Sequence, residues 1–204
     1  MRTLSEYVKE CGSSIISQNI LITGMGGSGK TVLAQLLLEY LSNQDLGSKI
    51  DKFVVCCEQS PKYREYEQRE NVQSCYKVDS IKTAINNLYE LVVKRKAESD
   101  TNNTKTILII DDCEWLLDIN VCKEDMSSRL QLLLREGATY GITTIVTTRN
   151  LKNLELDQET IINFGFIFKL RDMSIETKFL PKFGETIAYD LDRGYIERLR
   201  VGSI

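Results

Sequence analysis

Short apolar runs alternate with longer amphipathic segments along most of the chain. Runs of consecutive apolar residues are typical of strands that are buried on both faces of a sheet, and apolar residues spaced three or four positions apart indicate helices with one buried face. Hydrophobic runs lie at 20–22, 53–57 and 106–110, and a run of β-branched residues at 143–148 predicts a further strand. The segments with helical spacing lie at 32–41, 81–92 and 125–136. Because the two kinds of segment alternate, we predict an α/β fold with a mostly parallel sheet and helices on both faces.

Near the end of the chain this alternation gives way to strands alone. Residues 161–170 predict a further strand, because phenylalanines recur at every second position within it. An extended strand points successive side chains to opposite faces. We therefore expect Phe164, Phe166 and Phe168 on one face of this strand and Ile167 on the other.

Further strands are expected at the edges of the sheet. Residues 76–78 predict a short edge strand, followed by a helix that is capped by Asp79 or Ser80. Two alternating segments, at 184–189 and 194–199, flank a polar turn. This spacing predicts a C-terminal β-hairpin that is added at one edge of the sheet.

Length and charge restrict the class of protein. The chain has 204 residues, 42% of them hydrophobic, which is enough for one domain with a sizeable core. We interpret residues 1–18 as an amphipathic lead-in and 19–204 as that domain. A net charge of −3 gives no general attraction for nucleic acid or anionic membranes. No apolar stretch approaches the roughly 18 residues of a membrane-spanning helix, so we expect no direct membrane insertion.

Histidine and cysteine limit the possible chemistry. The chain has no histidine, which excludes Ser-His-Asp and Cys-His nucleophile pairs and histidine-containing zinc sites. Its six cysteines form no Cys-x-x-Cys pair, and several lie in or beside apolar runs, where a thiol packs like a small hydrophobe. We therefore expect thiols in a reducing cytosol rather than a disulfide framework.

One segment carries a motif that specifies chemistry. Residues 24–31, Gly-Met-Gly-Gly-Ser-Gly-Lys-Thr, match the P-loop pattern G-x-x-x-x-G-K-[ST] between a predicted strand and a predicted helix. Glycines let backbone N–H groups point at phosphate oxygens, and the helix N-terminus adds its positive dipole. We therefore predict that ATP and Mg²⁺ are the cofactors. The residues expected to bind the nucleotide are Gly24, Met25, Gly26, Gly27, Ser28, Gly29, Lys30, Thr31 and Val32.

Charged and hydroxyl side chains around the loop have separate predicted roles. Lys30 would reach the β- and γ-phosphates, and the Thr31 hydroxyl would ligate Mg²⁺. The most hydrophobic run of the chain ends in Asp111-Asp112, and acids at the carboxyl end of a central parallel strand lie where ligands bind. This Walker B arrangement predicts that Asp111 holds Mg²⁺, through water. Asp112, or alternatively Glu114, would activate the attacking water.

Two features have more than one interpretation. Arg149 and Asn150 end the threonine-rich run, where a polar group either senses the γ-phosphate or belongs to a strand-end turn. Residues 62–71 are almost wholly charged or aromatic. They indicate either a solvated helix or loop, or a contact face that uses Tyr63 and Tyr66.

Several motifs together resemble the FtsK/HerA superfamily of P-loop motors. The closest resemblance is to the C-terminal ATPase domains of EssC/EccC-type coupling proteins of type VII secretion. The shared motifs are REGA followed by GI at 135–142, the threonine-rich strand with its terminal arginine, IIDD at 109–112 and the LRD, LP and G sequence at 170–184. The resemblance covers roughly residues 19–196 and implies a RecA-like ASCE P-loop NTPase fold.

The resemblance also implies a function. Carried over by motif, Lys30 and Asp112 would be catalytic, Arg149 would take the sensor place, and Thr31 and Asp111 would hold the metal. The resemblance implies that the chain is a cytoplasmic module of a larger membrane-anchored secretion protein. Such modules bind ATP, associate with neighbouring ATPase domains or with copies of themselves, and recognise signal segments of small helical secreted proteins. An exposed apolar pocket away from the nucleotide is then expected, and DNA is not an expected partner.

Two residues depart from the pattern of FtsK-type motors. Asp112 stands where glutamate is usual, and Arg149 stands where glutamine is usual. Aspartate is one methylene shorter, so a water held by Asp112 would be misplaced by about an ångström, which can cost on the order of a hundredfold in rate. Such ATPases also commonly need an arginine from a neighbouring subunit. We therefore expect tight ATP binding with slow or partner-dependent hydrolysis by the isolated domain.

Two other classes share part of these motifs. The GMGG, IIDD and IVTTR sequences also resemble the switch domains of STAND proteins, in which ATP is a conformational clamp rather than a fuel. Those proteins normally continue into helical and winged-helix regions, whereas a hairpin is expected here. A viral DNA-packaging ATPase of the same superfamily is the third class. DNA motors need cationic pore loops to hold the DNA backbone, and the low basic content of this chain argues against that class.

Overall fold

The structure is a computed structural model that describes residues 1–43, 50–57, 60–99, 104–118, 123–149, 156, 158–170, 185–191 and 194–201. Its α-helices are α1 (Leu4–Cys11), α2 (Lys30–Asn43), α3 (Val78–Ala97), α4 (Cys113–Asp118), α5 (Lys123–Glu136) and α6 (Gln158–Ile162). Its strands are β1 (Asn19–Thr23), β2 (Ile50–Cys57), β3 (Val72–Cys75), β4 (Lys105–Asp111), β5 (Ile142–Thr148), β6 (Phe164–Lys169), β7 (Glu185–Asp190) and β8 (Tyr195–Arg200). Short 3₁₀ helices cover Gly12–Ile16, Ser60–Tyr66 and Gly137–Tyr140.

The eight strands form one sheet in the order β3-β2-β4-β5-β1-β6-β7-β8. The strands from β3 to β6 are parallel, and β7 and β8 add an antiparallel hairpin at one edge. This confirms the predicted α/β fold and its C-terminal hairpin. Because β5 lies between β1 and β4, the carboxyl ends of these three strands meet at the centre of the sheet.

Helices cover both faces of the sheet, as predicted. On one face, α1, α2 and the 3₁₀ helices at 12–16 and 60–66 bury a core that includes Leu4, Leu37 and Tyr63. On the other face, α3, α4 and α5 bury a second core that includes Ile85 and Leu133. The central strands contribute alternate residues to the two cores, which explains their unbroken apolar runs. The five described cysteines are buried as thiols.

The edge strand before α3 lies earlier in the chain than predicted. The prediction of a strand at 76–78 is wrong, because Val72–Cys75 is the segment that pairs with β2. The predicted cap at Asp79 or Ser80 is also wrong, since α3 begins before both residues. The Ser80 hydroxyl instead lies in the first turn and accepts a hydrogen bond from the backbone N–H of Lys77, at 3.2 Å.

The three phenylalanines of β6 do not share one face. Asn19 pairs with Phe164, whereas the next residue of β1 pairs with Phe166, so Gly165 is an extra residue in the ladder. A bulge of this kind reverses the facing of the residues before it. Phe166 and Phe168 therefore pack in the core on the side of α1, where both rings contact Tyr7, and Phe164 packs in the opposite core.

The charged segment at 62–71 is anchored in the protein. Tyr63 is 0% exposed and Tyr66 is 2% exposed, so the interpretation of this segment as solvated is wrong for its tyrosines. They are also core residues rather than a contact face for a partner. The Arg69 guanidinium lies 4.8 Å from the centre of the Tyr66 ring and forms an ion pair with Glu39 at 2.5 Å. The segment is therefore a packed element beside α2.

The first residues of the chain pack against the hairpin edge. Thr3 caps α1 through a capping box with Glu6. The backbone N–H of Arg200 in β8 donates to the Arg2 carbonyl at 2.9 Å, and the Arg2 side chain forms an ion pair with Glu197. Within the described ranges, no helix combines the length and the apolar character that crossing a bilayer requires.

Candidate functional site

A cavity of about 410 Å³ lies at the carboxyl ends of β1, β4 and β5. The structure brings the predicted phosphate loop, the two predicted Walker B acids and Arg149 together around it. The lining residues are Gly26, Gly27, Ser28, Gly29, Lys30, Thr31, Val32, Lys62, Asp111, Asp112, Thr147 and Arg149. Asn150, which was grouped with Arg149 in the sequence, lies outside the described residues.

The glycine-rich loop between β1 and α2 turns as its sequence requires. Gly27 has a φ of 72° and Gly29 a φ of 94°, in the left-handed region that side chains disfavour. The backbone N–H of Ser28 donates to the Met25 carbonyl at 3.1 Å, which closes the turn. Helix α2 then begins at Lys30, so its first N–H groups face the cavity side of the loop. This backbone suits a phosphate group.

Lys30 reaches back over the loop. Its Nζ atom donates to the carbonyls of Gly24 at 2.7 Å and Met25 at 3.0 Å. Burial lowers the pKa of Lys30, and the negative charges of Asp112 and Glu114 oppose that shift. The ammonium is therefore held beside the loop by contacts that phosphate oxygens could replace.

Asp111 is the buried acid of the site. Its carboxylate accepts hydrogen bonds from Thr31 Oγ1 at 2.9 Å and from Thr147 Oγ1 at 2.7 Å. The Cys57 thiol lies 3.7 Å from Asp111 Oδ2, and the Lys62 ammonium lies 3.9 Å from the same atom. A threonine hydroxyl beside an aspartate carboxylate supplies the oxygen ligands that Mg²⁺ prefers. The residues present therefore fit the predicted metal.

Asp112 lines the cavity with an unusual backbone. Its φ is 62°, in the left-handed region that aspartate and asparagine tolerate better than most residues do. Its backbone N–H donates to Thr147 Oγ1 at 2.8 Å. Burial raises the pKa of Asp112, with a further contribution from a hydrogen bond with Glu114 and the negative charge of that residue. A carboxylate with a raised pKa is a better proton acceptor.

Glu114 is held by the end of β5. Its Oε1 atom accepts hydrogen bonds from Thr148 Oγ1 at 2.8 Å and from the backbone N–H of Arg149 at 2.6 Å. Asp112 lines the cavity, and Glu114 is absent from its lining. Of the two candidates for activating water, Asp112 is therefore the one that the geometry favours.

The negative charge of Asp112 is expected to lower the stability of the folded state, and the substitution Asp112→Asn tests this expectation. The folded-state pKa is raised, so ionisation of Asp112 weakens the folded state as the pH rises past its unfolded-state value near 3.8. Asn keeps the shape and tolerates the left-handed backbone. Urea unfolding should therefore show a higher midpoint for the variant at pH 7, and the difference should disappear in acid. Asp51→Asn, an exposed carboxylate on β2, is the control. A lower midpoint at pH 7 would contradict the prediction.

Sequence reasoning missed three residues of the site. Thr147 holds Asp111, Thr148 holds Glu114, and Lys62 faces the pair formed by Thr31 and Asp111. The threonine repeat in β5 was a usable signal, because a hydroxyl on a fully buried strand needs a hydrogen-bond partner. Lys62 had no such signal in its charged segment.

Comparison with known proteins identifies the fold. No family model matches the chain, and no curated protein matches its sequence. Among solved structures it is similar to ATPases 2 and 3 of Thermomonospora curvata EccC in complex with a signal sequence peptide, with a TM-score of 0.74 and 14% identity over 93% of this chain. It is also similar to the pCW3 conjugation coupling protein TcpA with ATPγS, with a TM-score of 0.70 and 17% identity over 91% of this chain.

A viral protein of similar length shares the fold. This is B204, the DNA-packaging ATPase of Sulfolobus turreted icosahedral virus, with a TM-score of 0.63 and 14% identity. The chain is covered over 92% of its length and spans 98% of B204. By contrast, it spans 38% of the EccC chain and 60% of the TcpA chain.

The sheet order, the hairpin and the glycine-rich loop thus define a P-loop NTPase fold. Within that class, the predicted resemblance to EssC/EccC-type ATPase domains and FtsK-like coupling proteins is confirmed at the level of the fold.

Proposed function

We propose that the chain binds Mg-ATP in the cavity at the carboxyl ends of β1, β4 and β5. The observation that carries this proposal is the hydrogen bond from Thr31 Oγ1 to Asp111, at 2.9 Å, directly beneath the glycine-rich loop. It joins the first turn of α2 to the end of β4, where a magnesium ion on the phosphates would need both oxygens. Lys30 and the loop N–H groups would bind the phosphates.

We propose further that hydrolysis is slow in the isolated domain. Asp112 would accept a proton from the attacking water, and its side chain is shorter than the glutamate usual in FtsK-type motors. Arg149 lines the same cavity and would contact the γ-phosphate as the sensor. Neighbouring domains or further copies of the chain would supply the remaining positive charge.

The biological setting that we propose is a secretion coupling protein. The chain would be a cytosolic module of a larger membrane-anchored assembly, and would contribute to recognition of helical secreted substrates or their signal segments. The similarity to EccC ATPase domains that were solved with a signal sequence peptide supports this setting. A packaging ATPase that acts on DNA is the second candidate, which the similarity to the fold of B204 favours.

Calorimetry combined with phosphate release tests these proposals. Mg-ATP titrated into the chain should bind with micromolar affinity, and phosphate release in the same samples should be far slower than the roughly 1–1,000 per second of typical enzymes. Asp112→Asn should bind ATP and release no phosphate. Fast turnover by the parent chain would contradict slow hydrolysis, and absence of binding would contradict the nucleotide site.

The same assay separates the candidate settings. Stimulation of hydrolysis by double-stranded DNA would favour the packaging ATPase, whereas calorimetric binding of a helical signal peptide would favour the secretion module. Nucleotide-dependent oligomerisation without any turnover would instead favour a STAND-like switch.

A further inference from the structure

Lys62 is a cation at the place expected for the metal. Its Nζ atom lies 3.4 Å from Thr31 Oγ1 and 3.9 Å from Asp111 Oδ2. These two oxygen-bearing residues are the proposed ligands of Mg²⁺. Lys30, the lysine of the P-loop motif, instead contacts the loop carbonyls. In the described part of the chain, Lys62 is therefore the ion-pair partner of Asp111.

The backbone of Lys62 is fixed by its surroundings. Its carbonyl accepts a hydrogen bond from the Gln35 side chain, and Gln35 lies one turn after Thr31 on α2. Tyr63 and Tyr66 anchor the same 3₁₀ helix in the core. The Lys62 side chain is 34% exposed and has a long flexible stem. A fixed backbone with a movable ammonium is suited to exchange between partners.

The ion pair between Lys62 and Asp111 matters because the Asp111 carboxylate is buried. The Asp111 side chain is 1% exposed, and a carboxylate that is buried without a counter-charge destabilises the folded state. Lys62 supplies that counter-charge. A divalent ion held by Thr31 and Asp111 would share these oxygens with the ammonium, and two positive charges at one pair of oxygens repel each other. The ion and the ammonium are therefore expected to compete for this position.

We propose that Lys62 competes with Mg²⁺ for the pair formed by Thr31 and Asp111, and that its ammonium lets the site hold a nucleoside triphosphate without a divalent cation. Without Mg²⁺, the ammonium bridges Asp111 and the phosphate oxygens. With Mg²⁺, it is displaced into the cavity. The inference rests on the proposed function, since it concerns the same nucleotide site.

Nucleotide titration with and without Mg²⁺ tests the competition. A fluorescent ATP analogue is titrated into the parent chain and Lys62→Met, once with excess Mg²⁺ and once with EDTA. Methionine keeps the length and removes the charge. In EDTA the variant should bind about tenfold more weakly or worse, the loss expected for one charge-assisted contact. With Mg²⁺ its affinity should be equal or tighter. Lys94→Met, on the exposed face of α3, should leave both affinities unchanged.

The outcomes separate this inference from the proposed function. Equal weakening of Lys62→Met in both buffers, or no weakening in either, would overturn the role of Lys62 while leaving the nucleotide site intact. A parent chain that binds the analogue in neither buffer would overturn the proposed function and this inference with it. Lys62→Arg, which retains the charge, should restore part of the binding in EDTA.

A double-mutant cycle tests the ion pair without any nucleotide. Urea midpoints are measured in EDTA for the parent chain, Lys62→Met, Asp111→Asn and the double variant. Lys62→Met should lower the midpoint of the parent chain, because it strips a buried carboxylate of its counter-charge. The same change should not lower the midpoint in the Asp111→Asn background. Equal lowering in both backgrounds would overturn the proposed pairing.

Discussion

Lys30→Ala is expected to weaken Mg-ATP binding by a factor of about one hundred or more, since charge-assisted contacts to two phosphates are lost together. Lys30 is the cation of the motif, and its ammonium already lies at the loop, 2.7 Å from the Gly24 carbonyl. Alanine leaves the loop backbone unchanged but removes the positive charge. Calorimetric titration with Mg-ATPγS, a slowly hydrolysed analogue, would give the two affinities directly.

The control for this prediction is a matched loss of a lysine elsewhere. Lys94→Ala, on the exposed face of α3, should bind the analogue as the parent chain does. Circular dichroism should show both variants folded, because the Lys30 side chain contacts loop carbonyls rather than the core. If Lys30→Ala bound the analogue with parental affinity, the phosphates would lie elsewhere and the proposed site would be wrong.

Asn19→Ala is expected to be the most destabilising single substitution proposed for this chain, by about 2–5 kcal/mol. Asn19 is buried at the start of β1. Its amide donates to the Leu134 carbonyl at 2.6 Å and accepts from the backbone N–H of Thr144 at 2.9 Å. Removing the amide leaves a buried donor and a buried acceptor without partners. That loss is a large fraction of the typical 5–15 kcal/mol of folding stability.

Urea unfolding monitored by circular dichroism would measure this effect. Asn43→Ala is the matched control, since its amide bonds with Glu39 on the exposed end of α2. The control should change stability by less than about 0.5 kcal/mol. A similar small change in Asn19→Ala would show that the joint between β1, β5 and α5 does not depend on this side chain.

The order of strands and helices was predictable because the central strands are buried on both faces. A run such as 107–110 has no polar position, and few structures other than a central strand can accommodate it. The place of the glycine-rich loop between β1 and α2 was predictable for a different reason, since its motif has residue types at fixed spacing. The hairpin was predictable from the alternation of apolar and polar residues, which is found wherever one face of a strand is less buried than the other.

The features that were predicted wrongly depend on contacts that local sequence patterns do not report. Phe164 faces the opposite core because Gly165 adds one residue to the ladder, and nothing in the phenylalanine spacing reports a bulge. The edge strand β3 is short and has no continuous apolar run. In the segment around Lys62, composition is dominated by charge, yet two buried tyrosines decide where it packs. Composition counts residues, whereas burial depends on which of them face the core.

The site was predictable in its motif residues and not in their partners. Lys30, Thr31 and Asp111 belong to motifs, and the structure brings them together at one cavity. The hydroxyl of Thr147, which holds Asp111, comes from a strand far away in sequence. Its role depends on β5 lying directly beside β4, which is a property of strand order rather than of sequence spacing.

The left-handed backbone at Asp112 restricts the mutational routes open to this chain. A φ of 62° at this position favours glycine, asparagine and aspartate, whereas the FtsK-type motors that the chain resembles usually have glutamate there. A single change to glutamate would improve the reach of the carboxylate and strain the turn in the same step. Substitutions that relax the turn between β4 and α4 would offset that strain, so the order of substitutions matters. The effect of glutamate at position 112 is therefore expected to depend on the other residues of this turn, so it would differ from one sequence background to another.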